Sequence, residues 1–220
     1  MRPALRLRGS IVVVLVAATV LLHGQAPDQD SAKRWNEVFT STAGEAFLPN
    51  AFLASVIEGR TPGTALDIAM GEGRNALLLA ARGWKVTGFD ISDVAVKRAR
   101  QAAAARSLPF EAVTADVSTF EYGTEQWDLV AAIYIHGLLT VKPEAVVRSL
   151  KPGGILVVEG FHRDALTTAG YRTNELLTVF GGLTVLQYED VVGRPDPTWA
   201  DRAPFRFVRL VARKEPANRQ

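Results

Sequence analysis

Three aspartates in this chain of 220 residues are placed to do binding chemistry. They are Asp67 in Ala65-Leu66-Asp67-Ile68-Ala69-Met70, Asp90 in Val86-Thr87-Gly88-Phe89-Asp90, and Asp116 in Ala115-Asp116-Val117. After the first comes Gly71-Glu72-Gly73-Arg74-Asn75-Ala76, where an apolar strand opens through glycines onto a helix. Glycines let a backbone approach a ligand closely, and a helix start offers unpaired N–H groups to polar or anionic atoms. Gly71-x-Gly73-x-x-Ala76 satisfies the dinucleotide fingerprint, and Asp90, seventeen residues past Gly73, stands where a ribose-binding acid belongs. Asp67 pulls the reading elsewhere. Four positions before Gly71, it would repel a pyrophosphate, whereas it would hold an amino cation by a charge-assisted hydrogen bond worth about 1.5 to 3 kcal/mol. A ligand with ammonium, ribose and adenine groups would use all three acids; a dinucleotide needs chiefly the second.

The elements that must position these residues alternate between helical and extended patterns from Asp28 onward, which predicts an α/β fold with a mainly parallel sheet. Helices are expected over Ser31 to Phe39, Asn50 to Glu58, Asn75 to Arg82 (stopped by Gly83), Ser92 to Arg106, Glu144 to Leu150 and Asn174 to Phe180. Strands are expected over Thr64 to Met70, Lys85 to Phe89, Phe110 to Ala115, Trp127 to Ile135 and Ile155 to Gly160. Lys151-Pro152-Gly153-Gly154 reads as a turn into the last of these. Two further apolar strands, Leu183 to Tyr188 and Phe205 to Ala212, flank a loop with Pro195, Pro197, Trp199 and Pro204, and a closing hairpin requires an antiparallel strand. The carboxyl edge of such a sheet is where ligands bind. Tyr134 and His136 after the fourth strand, and His162 after the fifth, are expected there.

Composition excludes several alternatives. With 48% hydrophobic and 22% charged residues the chain is of globular type. No cysteine exists, so there is no disulfide, thiolate metal site or cysteine nucleophile. The only histidines are His23, His136 and His162, and they form no His-x-x-x-His pair, so no metal site is expected. Arg2, Arg6 and Arg8 precede the apolar run Ile11 to Leu22, which matches a secretory signal and falls short of the roughly 20 residues of a spanning helix. Residues 1–26 are therefore read as a signal peptide or amino-terminal anchor, with the rest exported or held on the periplasmic side, or cytoplasmic if the signal goes unused. Without them the 25 basic residues fall to 22 against 23 acidic ones. That near-neutral balance gives no electrostatic case for nucleic acid. Arg98, Arg100 and Arg106 read as the solvated side of a helix. The expected division is 1–26 leader, 27–60 helical cover, 61–213 core and 214–220 loose tail.

The series Asp67, Ala69, Gly71 and Gly73, then Asp90, then Asp116, then Trp127-Asp128-Leu129-Val130, then Leu150-Lys151-Pro152-Gly153-Gly154 resembles the class I S-adenosylmethionine-dependent methyltransferases over roughly residues 31 to 213. Gly71-Glu72-Gly73-Arg74-Asn75-Ala76 with Gly83-Trp84-Lys85-Val86-Thr87-Gly88-Phe89-Asp90 is similar to the small bacterial branch that includes tellurite-resistance and thiol methyltransferases. The resemblance implies a Rossmann-like three-layer fold with a seven-stranded sheet and an antiparallel last strand. It also implies S-adenosyl-L-methionine as cofactor. Asp67 and the Ala69 to Gly73 backbone would lie near its methionine part, Asp90 on the ribose, Ile91 and Val117 against the adenine, and Asp116 on the adenine amino group, with Tyr134 also on the cofactor side. Trp35 and Asn36 would fold over the donor. The family usually has glycine where this chain has Ala69, which requires a backbone angle alanine tolerates and implies a tighter pocket.

Methyl transfer from a sulfonium is an in-line displacement with an activated donor, so the protein mainly aligns the partners and excludes water. A thiol or other chalcogen acceptor ionises by itself; an alcohol needs a base, for which His136 and His162 are the candidates. Two further readings stay open on the residues alone. One is a nicotinamide-dependent oxidoreductase using the same glycines, and the other an exported, non-catalytic nucleoside-binding domain.

Overall fold

The computed structural model of the chain describes residues 29–42, 48–135, 142–165, 170–194 and 204–216. Its elements run α1 (Gln29–Ser41), α2 (Ala51–Ile57), β1 (Thr64–Ile68), α3 (Arg74–Ala81), β2 (Lys85–Asp90), α4 (Asp93–Ala105), β3 (Phe110–Thr114), β4 (Trp127–Ile133), α5 (Pro143–Ser149), β5 (Leu150–Phe161), α6 (Glu175–Val179), β6 (Thr184–Gly193) and β7 (Phe205–Arg213). One seven-stranded sheet has the order β3-β2-β1-β4-β5-β7-β6. β1 pairs in parallel with β2 and β4, β2 with β3, and β4 with β5; β7 is antiparallel to both β5 and β6. The strand order reverses beside β1, and such a switch point is where ligands bind in open α/β sheets.

Alternation along the strands sends side chains to two separate cores. One contains Leu66, Ile68, Val130, Ala132, Leu156 and Val158 with Tyr171, Leu176 and Phe180; the other contains Ala65, Leu129, Ala131, Ile133, Ile155 and Val157 with Phe52, Leu53, Ala76 and Leu79. A sheet covered on both faces explains why its central strands read as continuous apolar runs. Local chemistry sets the helix starts: Asn50 accepts a hydrogen bond from the Leu53 amide to cap α2, and Ser92 accepts from Ala95 to cap α4.

Several boundaries differ from the sequence expectation, and those near the site do so for a backbone reason. β1 stops at Ile68 because Ala69 turns left-handed at φ 51, and β4 stops at Ile133 because Tyr134 does so at φ 60. Lys151 to Gly154 is not a turn before β5 but a bulge inside it: Trp127 opposes Leu150, and the ladder resumes at Leu129 opposite Ile155. The Gly153 amide there donates to the Lys214 carbonyl and Lys214 returns a bond to Gly154, which ties residue 214 to the sheet. β6 also runs past Tyr188 to Gly193.

Candidate functional site

At the carboxyl end of β1 the chain makes a sharp turn onto α3 that only a few residue types accept. Gly71 and Gly73 both hold left-handed backbone, at φ 56 and 80, and a methyl group on Gly73 would come within 3.0 Å of the Ala99 side chain on α4. Gly73 is the cap residue of α3 and has no side chain to accept its first amides. Asp67 does that work from inside the strand: its carboxylate accepts a hydrogen bond from the Ala76 amide. One oxygen is thereby used. The other, Oδ2, is buried without any hydrogen-bond partner, in a residue only 1% exposed. Burial pushes its pKa up to about 7, with the Ala76 bond and the Arg74 charge acting the other way and Asp90 reinforcing the rise.

Asp90 ends β2 beside it and holds the turn in place. Its Oδ2 accepts from the Gly71 amide at 2.9 Å and its Oδ1 from the Ser92 amide at 2.9 Å. Burial raises its pKa too, against the pull of the Ser92, Gly71 and Ile91 amides. Ile91 follows, half-buried. Asp116 lies just past β3, half-buried, with Oδ1 accepting from the Ser118 amide at 2.7 Å. Val117 is packed into the core among Phe89 and Tyr122. The three acids thus stand after or within three adjacent strands, β1, β2 and β3, as their spacing in the sequence suggested.

α1 closes over this edge. Asn36 accepts from the Ser92 hydroxyl and donates to Asp93 Oδ1 at 2.6 Å, while Trp35 packs on Phe39 at 6.0 Å between ring centroids. A methyl group on Gly71 would stand 3.2 Å from the Phe39 ring. Arg98 is not the solvated residue the sequence suggested: it is half-buried, donating to the Phe39 carbonyl and, at 2.5 Å, to Glu72 in the glycine turn. Arg100 and Arg106 are exposed.

Beyond β4 the picture is one of polar groups engaged with one another. The Tyr134 hydroxyl donates to Glu159 Oε1 at 2.5 Å, its ring stacks on Phe161 at 5.3 Å, and the Arg74 guanidinium lies 5.7 Å over it. Glu159, fully buried, also accepts from Asn50 Nδ2 at 2.6 Å and from Arg209 Nε at 2.6 Å. Reading the sequence missed this hub, although an acid in the run Leu156-Val157-Val158-Glu159 was a visible signal of it. His162 is 4% exposed: its Nε2 is 3.1 Å from the Thr173 hydroxyl and its Nδ1 accepts from the Asp164 amide at 3.1 Å. Both ring nitrogens of His162 are therefore engaged by neighbouring groups of the fold. His136 and Trp199 lie outside the described residues. Among the described residues no cluster could hold a metal ion, and no helix is long and apolar enough to cross a membrane.

Residues 65–154, the stretch from β1 to the bulge of β5, match the family model described as a methyltransferase domain. The stretch is thus similar to methyltransferases that use S-adenosylmethionine. A curated relative, Hemagglutinin 1 of Eikenella corrodens, is 27% identical over 179 residues, covering 74% of this chain, and the chain spans only 58% of that relative's length. Among solved structures the fold is similar to that of TehB from Haemophilus influenzae, at TM-score 0.66 and 17% identity over 82% of this chain and 67% of that one. It is also similar to a geranyl diphosphate C-methyltransferase from Streptomyces coelicolor A3(2), solved with Mg2+, geranyl diphosphate and S-adenosyl-L-homocysteine. That match has TM-score 0.65 and 14% identity over 86% and 100% of the two chains. The [4+2]-cyclase SpnF is equally close in shape, at TM-score 0.66 and 20% identity over 84% and 97%, so the fold by itself does not fix a reaction. The residues of the turn fit a ligand with a cationic group such as S-adenosylmethionine: an orphaned carboxylate oxygen, Asp67 Oδ2, is buried beside the glycines.

Proposed function

We propose that this protein transfers the methyl group of S-adenosylmethionine to a small-molecule nucleophile, and that the nucleophile is a thiol or related chalcogen. The observation that carries the donor assignment is Asp67 Oδ2, buried and unpartnered at the glycine turn. A cation there recovers the desolvation cost that an empty carboxylate bears. On this reading Asp67 holds the ammonium of the methionine part and Asp90 accepts from the ribose hydroxyls while bracing Gly71. Ile91 and Val117 flank the adenine, and Asp116, whose Oδ2 has no partner among the described residues, accepts from its amino group. When bound, the cofactor supplies a methyl carbon already activated on a sulfonium. The chain's task is then alignment and exclusion of water.

The acceptor class rests on the state of the polar groups beyond β4. The Tyr134 hydroxyl donates its hydrogen bond to Glu159, and both His162 nitrogens are engaged. An acceptor that arrives as its own anion suits such a surface, because no residue has to take its proton. We further read residues 1–26 as a signal or anchor that puts the domain on the periplasmic side; fractionation with a tagged carboxyl terminus tests this.

The deciding experiment is calorimetric titration with S-adenosylhomocysteine beside a nicotinamide dinucleotide. Selective binding of the sulfur nucleoside, lost in Asp90→Ala, is expected. Binding of the dinucleotide in its place would overturn the donor assignment and favour the oxidoreductase reading. Methylation of simple thiols, followed by release of S-adenosylhomocysteine, then tests the acceptor class.

A further inference from the structure

The cover helix α1 is bonded to the very residue that fixes the ribose acid. Asn36 Oδ1 accepts from the hydroxyl of Ser92, the Ser92 amide donates to Asp90 Oδ1 at 2.9 Å, and Asp90 Oδ2 accepts from the Gly71 amide at 2.9 Å. Ser92 is fully buried and its hydroxyl oxygen also accepts from Ala95, so its side chain has one orientation available. Asn36 completes the grip by donating to Asp93 Oδ1 at 2.6 Å, on the first residue of α4. An asparagine fits here because it presents an acceptor to the serine and a donor to the aspartate at once. Neither an aspartate nor a leucine of the same size could do both.

We propose that Asn36 is a positioning residue for the cofactor: by locking Ser92 it sets the Asp90 carboxylate and the Gly71 backbone in the geometry the ribose requires. α1 lies outside the stretch that matches the methyltransferase domain, so part of the cofactor site is built by the amino-terminal cover. The inference rests on the donor-site reading above. Hydrogen bonds in series constrain one another, and loss of the outermost one frees the next.

The test uses the full chain and two readouts. Asn36→Ala is expected to weaken S-adenosylhomocysteine about tenfold, the fold-change of one to two side-chain hydrogen bonds. In an Asp90→Asn background the same change is expected to cost less than about twofold, because contacts that act through one carboxylate are not additive. Asn36→Asp alone sets two carboxylates face to face and should bind worst. Pairing it with Asp93→Asn reverses donor and acceptor and should restore affinity. Equal losses in both backgrounds, or no loss in either, would overturn the proposal. Amide hydrogen exchange of Gly71 and Ser92 supplies the readout without cofactor: protection should fall in Asn36→Ala and return in the paired variant. Unchanged protection defeats the relay even if the parent binds normally. Failure of the parent to bind S-adenosylhomocysteine at all is a distinct result that removes the donor reading itself.

Discussion

The two edges of the sheet treat their acids in opposite ways. At the carboxyl edge Asp67 keeps one buried oxygen without a partner, and burial raises its pKa. At the amino edge Asp128 concentrates its bonds on one oxygen. Oδ2 accepts from the Thr64 amide at 2.7 Å, the Thr64 hydroxyl at 2.9 Å and Lys151 Nζ at 2.7 Å. There, too, burial works to raise the pKa, but Lys151 and Thr64 outweigh it and the net shift is downward. Both acids stand in short apolar strands of similar composition, Ala65-Leu66-Asp67-Ile68 and Trp127-Asp128-Leu129-Val130. What separates binding from bracing is whether the chain itself supplies the cation. Lys151 does so for Asp128 through a direct ion pair, whereas Asp67 has only the Arg74 charge acting on it and keeps Oδ2 open for the cation of a proposed ligand.

The contrast can be broken most severely at Asp67. Asp67→Asn keeps the shape and removes the charge. S-adenosylhomocysteine affinity should fall by about 30-fold or more, the equivalent of a charge-assisted hydrogen bond of about 2 to 3 kcal/mol. The melting temperature of the unliganded protein above pH 7 should rise, and an unchanged affinity in calorimetry would assign the carboxylate to the fold alone. Next in size is the pH effect. With a folded pKa of about 7 against an ordinary value of 3.8, the stability linked to Asp67 is fully present below pH 4 and is lost as pH rises through 7. A bound cation reverses that preference, so cofactor affinity should increase from pH 6 to pH 8 and binding should release a proton. Titration in buffers of different ionisation enthalpy measures that proton directly, and pH-independent binding would contradict the assignment.

The amino edge gives the complementary result. Asp128→Ala should cost about 1 kcal/mol of stability, since its ion pair is half open to solvent and its bonds to Thr64 carry most of the effect. Denaturant melts will read that loss, and S-adenosylhomocysteine affinity should not move. The smallest change expected is at Ala69, whose φ of 51 costs about 1 kcal/mol for a residue with a Cβ. Ala69→Gly should recover part of this as a rise of a few degrees in the thermal midpoint, offset by the entropy glycine adds to the unfolded chain. A fall instead would show that the methyl group packs usefully against its neighbours.

The fold was largely legible because buried parallel strands and capped helices write themselves in local residue types. Gly83 stops α3, Ser92 caps α4, and the terminal apolar pair forms the antiparallel hairpin. The three acids were legible for the same reason, since strand ends and glycine turns are local features. Contacts between distant segments were not. Nothing in the sequence near Glu159 says that Arg209, fifty residues on, would meet it, nor that Asn36 would find Ser92. The contact of His162 with Thr173 was hidden on similar grounds, since Tyr171 is folded back beside His162 in an isolated bridge, whereas its bond with Asp164 is local.

The buried Glu159 also has a meaning in time. It is held by Asn50 ahead of α2, by Tyr134 after β4, and by Arg209 on β7, fifty residues after it in the chain. During synthesis the carboxylate is made long before its guanidinium, and sealing it without that partner would strand a charge in the core at a cost of about 3 to 5 kcal/mol. The sheet therefore cannot close cooperatively around Glu159 until β7 has been added, and a chain halted short of β7 stays open.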